Sequence, residues 1–139
     1  RFQAALALVS AANGGGTAGA AAAAQAAGVA QSWVNAFNSQ LSFHLKDHRN
    51  VLIVDFYTTF TTWLTKPADY GLSNVTTPAC ANGFGPTCVD AVLSANPPAG
   101  ASANWWQSYA FSDSFHGTPK TNEMMGNLVL DAMKAKGWR

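Results

Sequence analysis

Charge is scarce in this sequence. Only 11% of its 139 residues are Asp, Glu, Lys or Arg, against roughly 25% in an average globular chain. Lys and Arg together number 8 and Asp and Glu 7, a net charge of +1. No basic cluster is present to neutralise phosphates, which argues against a nucleic-acid partner. The low charge does not signal disorder, because 48% of the residues are hydrophobic and such a chain can bury a core. Cysteine is nearly absent: Cys80 and Cys88 are the two. Two thiols without a His pair nearby do not make the four-ligand set of a structural metal site, so no metal is expected. No apolar run reaches the ~20 residues that span a bilayer; Ala21–Ala30 is interrupted by Gln25 and Gly28. No secretory signal is visible, since the short apolar run after Arg1 breaks at Asn13-Gly14-Gly15-Gly16. No internal repeat is found.

The residue pattern predicts helices separated by turn-rich segments. Phe2–Ala12 reads as a short helix, and Asn13–Gly19 as a flexible glycine-rich linker. Ala20–Leu45 reads as a long helix. Val29, Trp33, Val34, Phe37, Leu41 and Leu45 recur every three or four residues on one face of it. Val51–Tyr57 is a β-branched apolar run, which predicts a strand buried on both faces, as in a parallel sheet. Thr58–Thr65 is expected to be helical and to end at Lys66-Pro67. Between 72 and 104 only Val89–Ser94 suggests a helix, and Trp105–Phe111 suggests a short strand. Thr118 followed by Pro119 reads as an N-cap and first helical position, opening a helix to about Lys136 that Gly137 stops. A helix followed by a buried strand is an α/β pattern. One or two strands do not make a parallel sheet, so the chain is expected to be the C-terminal part of a larger α/β domain. Arg1 rather than Met at the start fits a processed chain or a fragment.

Asp113-Ser114-Phe115-His116-Gly117-Thr118-Pro119 is the segment with most chemical content. An Asp three residues before a His on a loop can turn its carboxylate onto the imidazole. That fixes the tautomer and stabilises the imidazolium formed when the ring takes a proton. The other ring nitrogen then serves as a general base. The competing reading is a surface His beside a helix N-terminus, with Asp113 as a cap. Ser112 and Ser114 flank Asp113 too closely to reach the far nitrogen of His116. His44 and His48, one helical turn apart, are read as cations at a helix C-terminus rather than as metal ligands. Asp55 is read as a structural acceptor, with a ligand-binding role as the alternative. Trp105, Trp106, Tyr109 and Phe111 are read first as core, and alternatively as walls of a pocket. Cys80 and Cys88, with a turn-forming loop between them, allow a disulfide; two free thiols are the alternative.

The Asp113-x-x-His116-Gly117-Thr118 block resembles the Asp-x-x-His-Pro-Thr block of the SGNH/GDSL hydrolases, a superfamily of lipases and esterases. Gly117 stands where those enzymes commonly carry Pro. A second block is similar to theirs as well: Val51–Tyr57, then Lys66-Pro67-Ala68-Asp69-Tyr70-Gly71-Leu72-Ser73-Asn74, then Cys80. There Lys66 replaces the usual Asn, and Leu72 a Phe. The resemblance covers roughly residues 45–135, with two blocks about 40 residues apart. It implies a flavodoxin-like three-layer α/β/α domain with a parallel sheet, of which residues 1–139 would be the C-terminal fragment. It implies a Ser–His–Asp triad working through an acyl-enzyme, with His116 as base and Asp113 as its orienting acid. Phe115, Trp105, Trp106 and Tyr70 are then the candidates for a substrate pocket. The sequence holds no Gly-Asp-Ser and no Gly-x-Asn-Asp. The serine and the oxyanion donors are therefore expected from the N-terminal part of the same enzyme, the main partner beside an ester or lipid substrate. No cofactor is implied, and the compartment is expected to be secreted or periplasmic. The alternatives are a non-catalytic binding or secretion-related domain of the same fold, and a carbohydrate acetyl esterase.

Overall fold

The computed structural model describes residues 2–80, 88–113 and 116–138, with side chains from residue 5 onward. The protein divides into two compact units, Arg1–Ile53 and Val54–Arg139.

The first unit is a helical hairpin. Helix α1 spans Phe2–Ala12 and helix α2 spans Gly16–Leu45. The expected linker is a three-residue turn instead. Gly14, Gly15 and Gly16 adopt φ of +81°, +67° and +56°, a region that side chains with a Cβ rarely enter. Gly19 is buried against α1. A Cβ there would collide with the Ser10 backbone carbonyl, so a small residue sets how near α1 and α2 can run. Beyond that contact α2 keeps its large apolar residues in solvent: Trp33 is 71% exposed and Phe37 66%.

The second unit carries α3 (Phe56–Thr65), α4 (Asp90–Ala95) and α5 (Pro119–Ala135), with 3₁₀ turns at Pro67–Tyr70 and Trp105–Ser108. Its core is Trp63, Leu72 and Ala110, packed by Phe60, Leu64, Val75, Phe111, Met124 and Met125. Phe60 meets the rings of Phe56, Trp63 and Phe111 with centroids 5.1–6.0 Å apart, a spacing favourable for aromatic pairs. Met125 of α5 packs on this core, whereas Val129 on the same helix is 44% exposed.

The α/β expectation is overturned. The chain is mostly helical, and the described residues contain no strand longer than an isolated bridge. There is accordingly no parallel sheet and no three-layer α/β/α arrangement. Val51–Tyr57 is not a strand. The Phe56 N–H donates to the Val54 carbonyl at 2.8 Å, with Asp55 at φ −76° and ψ 76°. That is an inverse γ-turn, which breaks the run at Asp55. The Asp55 side chain then caps α3 by accepting from the Thr58 N–H at 2.9 Å, and Phe56 and Tyr57 enter the helix. Capping competes with strand formation and has the advantage here, because residues 51–54 take part in no β-bridge among the described residues. Trp105–Phe111 is not a strand either. Its first half is the 3₁₀ turn, and only Tyr109 and Phe111 form bridges, to Asn74 (parallel) and Gly117 (antiparallel).

Candidate active site

The bridge between Phe111 and Gly117 ties together two positions on the path from the core to α5. Ser112 N–H donates to the His116 carbonyl at 2.8 Å, and Thr118 N–H to the Ala110 carbonyl at 3.1 Å. Two threonines fasten the far side. Thr118 and Thr121 are 0% and 2% exposed. The Thr118 hydroxyl donates to the Tyr109 carbonyl at 2.7 Å and accepts the Thr121 N–H at 3.2 Å. The Thr121 hydroxyl donates to the Ala110 carbonyl at 2.7 Å. Thr118 therefore caps α5 and holds the loop at once, and Pro119 follows at the first helical position, where its missing N–H costs nothing. Gly117 fits this packing. A Cβ on it would meet Thr121 Cβ and Cγ2 at 3.2 Å, too close for relaxed contact.

The loop brings Asp113 and His116 together. Asp113 is 4% exposed. One carboxylate oxygen accepts the His116 backbone N–H at 2.7 Å, and the other lies 2.9 Å from His116 Nδ1. A carboxylate is an acceptor only, so Nδ1 carries the proton of the neutral ring and the lone pair is on Nε2. The His116 side chain is 56% exposed. A buried, doubly engaged acid thus orients an accessible imidazole. This is the arrangement a general base requires.

His116 borders a groove of about 390 Å³ lined by Cys88, Val89, Asp90, Ser112, Asp113, Gly117, Pro119 and Asn122. Asp90 opens α4 and Asn122 lies on the first turn of α5; spacing alone did not single out either. Neither has a motif signal, since folding and not sequence adjacency carries them to His116. Ser112 is 7% exposed and its hydroxyl donates to the Gly117 carbonyl at 3.0 Å. Its hydroxyl is thus a tie within this segment.

The pocket candidates are dispersed. Trp106 is buried against α4, its indole N–H donating to the Ser94 hydroxyl at 2.8 Å, and the Trp105 indole N–H donates to the Leu93 carbonyl at 3.0 Å. Tyr70 packs against Trp63, ring centroids 6.2 Å apart. None of the three is among the residues lining the groove. Phe115 lies outside the described residues. Cys80 and Cys88 form a disulfide, with Cα atoms 5.8 Å apart. Among the described residues no group of three His, Cys, Asp or Glu side chains is placed to hold a metal ion. No described helix is long and apolar enough to cross a membrane. No family model, no curated protein and no solved structure matches the chain.

Proposed function

We propose that this chain supplies the acid–base half of a serine carboxylic-ester hydrolase. His116 takes the proton of a serine hydroxyl through Nε2, and Asp113 holds the ring and stabilises the imidazolium. The serine attacks the ester carbonyl, His116 returns the proton to the leaving alcohol, and water then cleaves the acyl-enzyme by the same route. The serine and the oxyanion donors come from polypeptide outside this sequence, which has no Gly-Asp-Ser segment. One observation carries the reading: His116 Nδ1 and the His116 backbone N–H both bond the buried carboxylate of Asp113. The likeness of this loop to the GDSL block supports it from the sequence side. The Cys80–Cys88 disulfide supports an oxidising compartment, outside the cell or in a periplasm.

The test is ester hydrolysis by the complete polypeptide that carries the serine. His116→Ala should lower kcat for p-nitrophenyl acetate by about 10³-fold or more, and Asp113→Asn by a similar factor. Activity within about threefold of wild type for His116→Ala would sink the reading. Asp90 and Asn122, and not the indoles, stand in the groove lining, which favours esters of a polar alcohol such as sugar acetates over long acyl chains. Comparing acetate with decanoate esters tests that preference.

A further inference from the structure

Ser112, the residue before Asp113, is held from several sides. Its carbonyl oxygen accepts the Cys80 N–H at 2.7 Å, and Cys88 Sγ lies 3.1 Å from the same oxygen. A disulfide sulfur has no hydrogen to donate, so the second contact is a polarizable sulfur packed on a carbonyl. Both halves of the disulfide therefore converge on one backbone atom. The N–H of Ser112 donates to the His116 carbonyl at 2.8 Å, and its hydroxyl to the Gly117 carbonyl at 3.0 Å. One buried residue thus joins the disulfide to both ends of the turn that sets Asp113 against His116. Cys88 itself lines the groove.

We infer that the Cys80–Cys88 disulfide and Ser112 form a redox-sensitive clamp that positions Asp113 against His116. Its catalytic use rests on the general-base reading above; its structural effect does not. Reduction by a dithiol delivers two electrons and two protons to the bridge. The S–S bond breaks, Cys80 and Cys88 become thiols, and the reductant closes to its own cyclic disulfide. Cys88 then loses its tether to Cys80, and nothing covalent holds the pair on the Ser112 carbonyl. Ser112 is then held less firmly, and the Asp113 carboxylate no longer dictates which nitrogen of His116 bears the proton.

The ring tautomer reports this directly and needs no substrate. Long-range ¹H–¹⁵N spectra of the full chain labelled with ¹⁵N-histidine separate the Nδ1–H and Nε2–H forms; His116→Gln identifies the His116 signal, and His44 and His48 are internal controls. In the oxidised chain neutral His116 should be almost wholly Nδ1–H. Reduction, verified by titrating two thiols, should lower that share roughly twofold or more while His44 and His48 stay fixed. An unchanged His116 tautomer in the reduced, still-helical chain overturns the clamp. If reduction melts the chain by circular dichroism, Ser112→Ala with the disulfide intact decides instead: a tautomer shift supports the clamp and none overturns it. The two readings fail separately. A redox-dependent tautomer with turnover indifferent to His116→Ala defeats the esterase and spares the clamp. Turnover abolished by His116→Ala but indifferent to reduction, with a fixed tautomer, defeats the clamp and spares the esterase.

Discussion

Thr118 has no exposed surface, and its hydroxyl both caps α5 and satisfies the Tyr109 carbonyl. Thr118→Ala removes the cap and strands that half-buried acceptor, so it should cost about 2 kcal/mol. Thr118→Ser keeps the oxygen and loses a methyl, for about 1 kcal/mol. Thr121→Val should also be the milder change, at about 1 kcal/mol, because the Ala110 carbonyl keeps its bond from the Thr118 N–H. Urea unfolding of the three variants checks the order; a Thr118→Ala cost equal to that of Thr118→Ser would refute the double role. The sequence made part of this legible. Thr118-Pro119 announces a capped helix by local chemistry, and Asp113-x-x-His116 announces a dyad by a spacing one turn can close. Asp90, Asn122 and the buried role of Thr121 were not legible. Their position depends on which segments fold against the loop, and no local preference encodes that.

At the scale of the element, Asp55 decides between helix and strand. Its carboxylate sits below the usual aspartate value of 3.8, because the Thr58 backbone N–H, and then the Thr58 side chain, bond the charged form, against a small opposing effect of burial. The folded state therefore holds this proton less tightly than the unfolded chain. Its contribution is fully present above the unfolded value and is lost as pH falls below 3.8 through the lowered one. Asp55→Ala should cost about 1 kcal/mol at neutral pH. It should also flatten the acid limb of stability below pH 3.8, while Asp55→Ser keeps a cap and lacks the acid limb; denaturant midpoints from pH 2 to 7 read both. The five helices were legible because period, caps and glycine stops agree, as Thr118, Pro119 and Gly137 do around α5. The strand over Val51–Tyr57 was misread because apolar β-branched composition suits a strand only when partners exist. Asp55 offers the chain a local alternative, the γ-turn and cap. The glycine-rich segment was misread for a related reason. Composition suggests a linker, yet Gly14–Gly16 make a turn of positive φ and Gly19 admits Ser10. Gly19→Val should separate α1 from α2, seen as faster amide exchange along α1 with α3–α5 unaffected.

For the whole molecule, the scarcity of charge acquires a structural meaning. Between Phe2 and Leu45 there is no Asp, Glu, Lys or Arg, and this stretch exposes Leu8, Val29, Trp33, Phe37, Leu41 and Phe43 at 39–72%. Surfaces of this kind associate unless like charge keeps the molecules apart. Little charge is available, since the net value is +1 and the isoelectric point is near 8.0. Light scattering should therefore show self-association near neutral pH, where like-charge repulsion is weak. It should persist in 0.5 M salt, where the Debye length is only about 4 Å, because apolar contact and not ion pairing drives it. Trp33→Glu with Phe37→Glu should reduce association at every pH, by removing exposed apolar area and placing two charges at its centre. These positions are 71% and 66% exposed, so helix content and the unfolding midpoint should stay close to those of the parent. Association that persists undiminished in the double variant would mean that the contacts lie elsewhere than on α2.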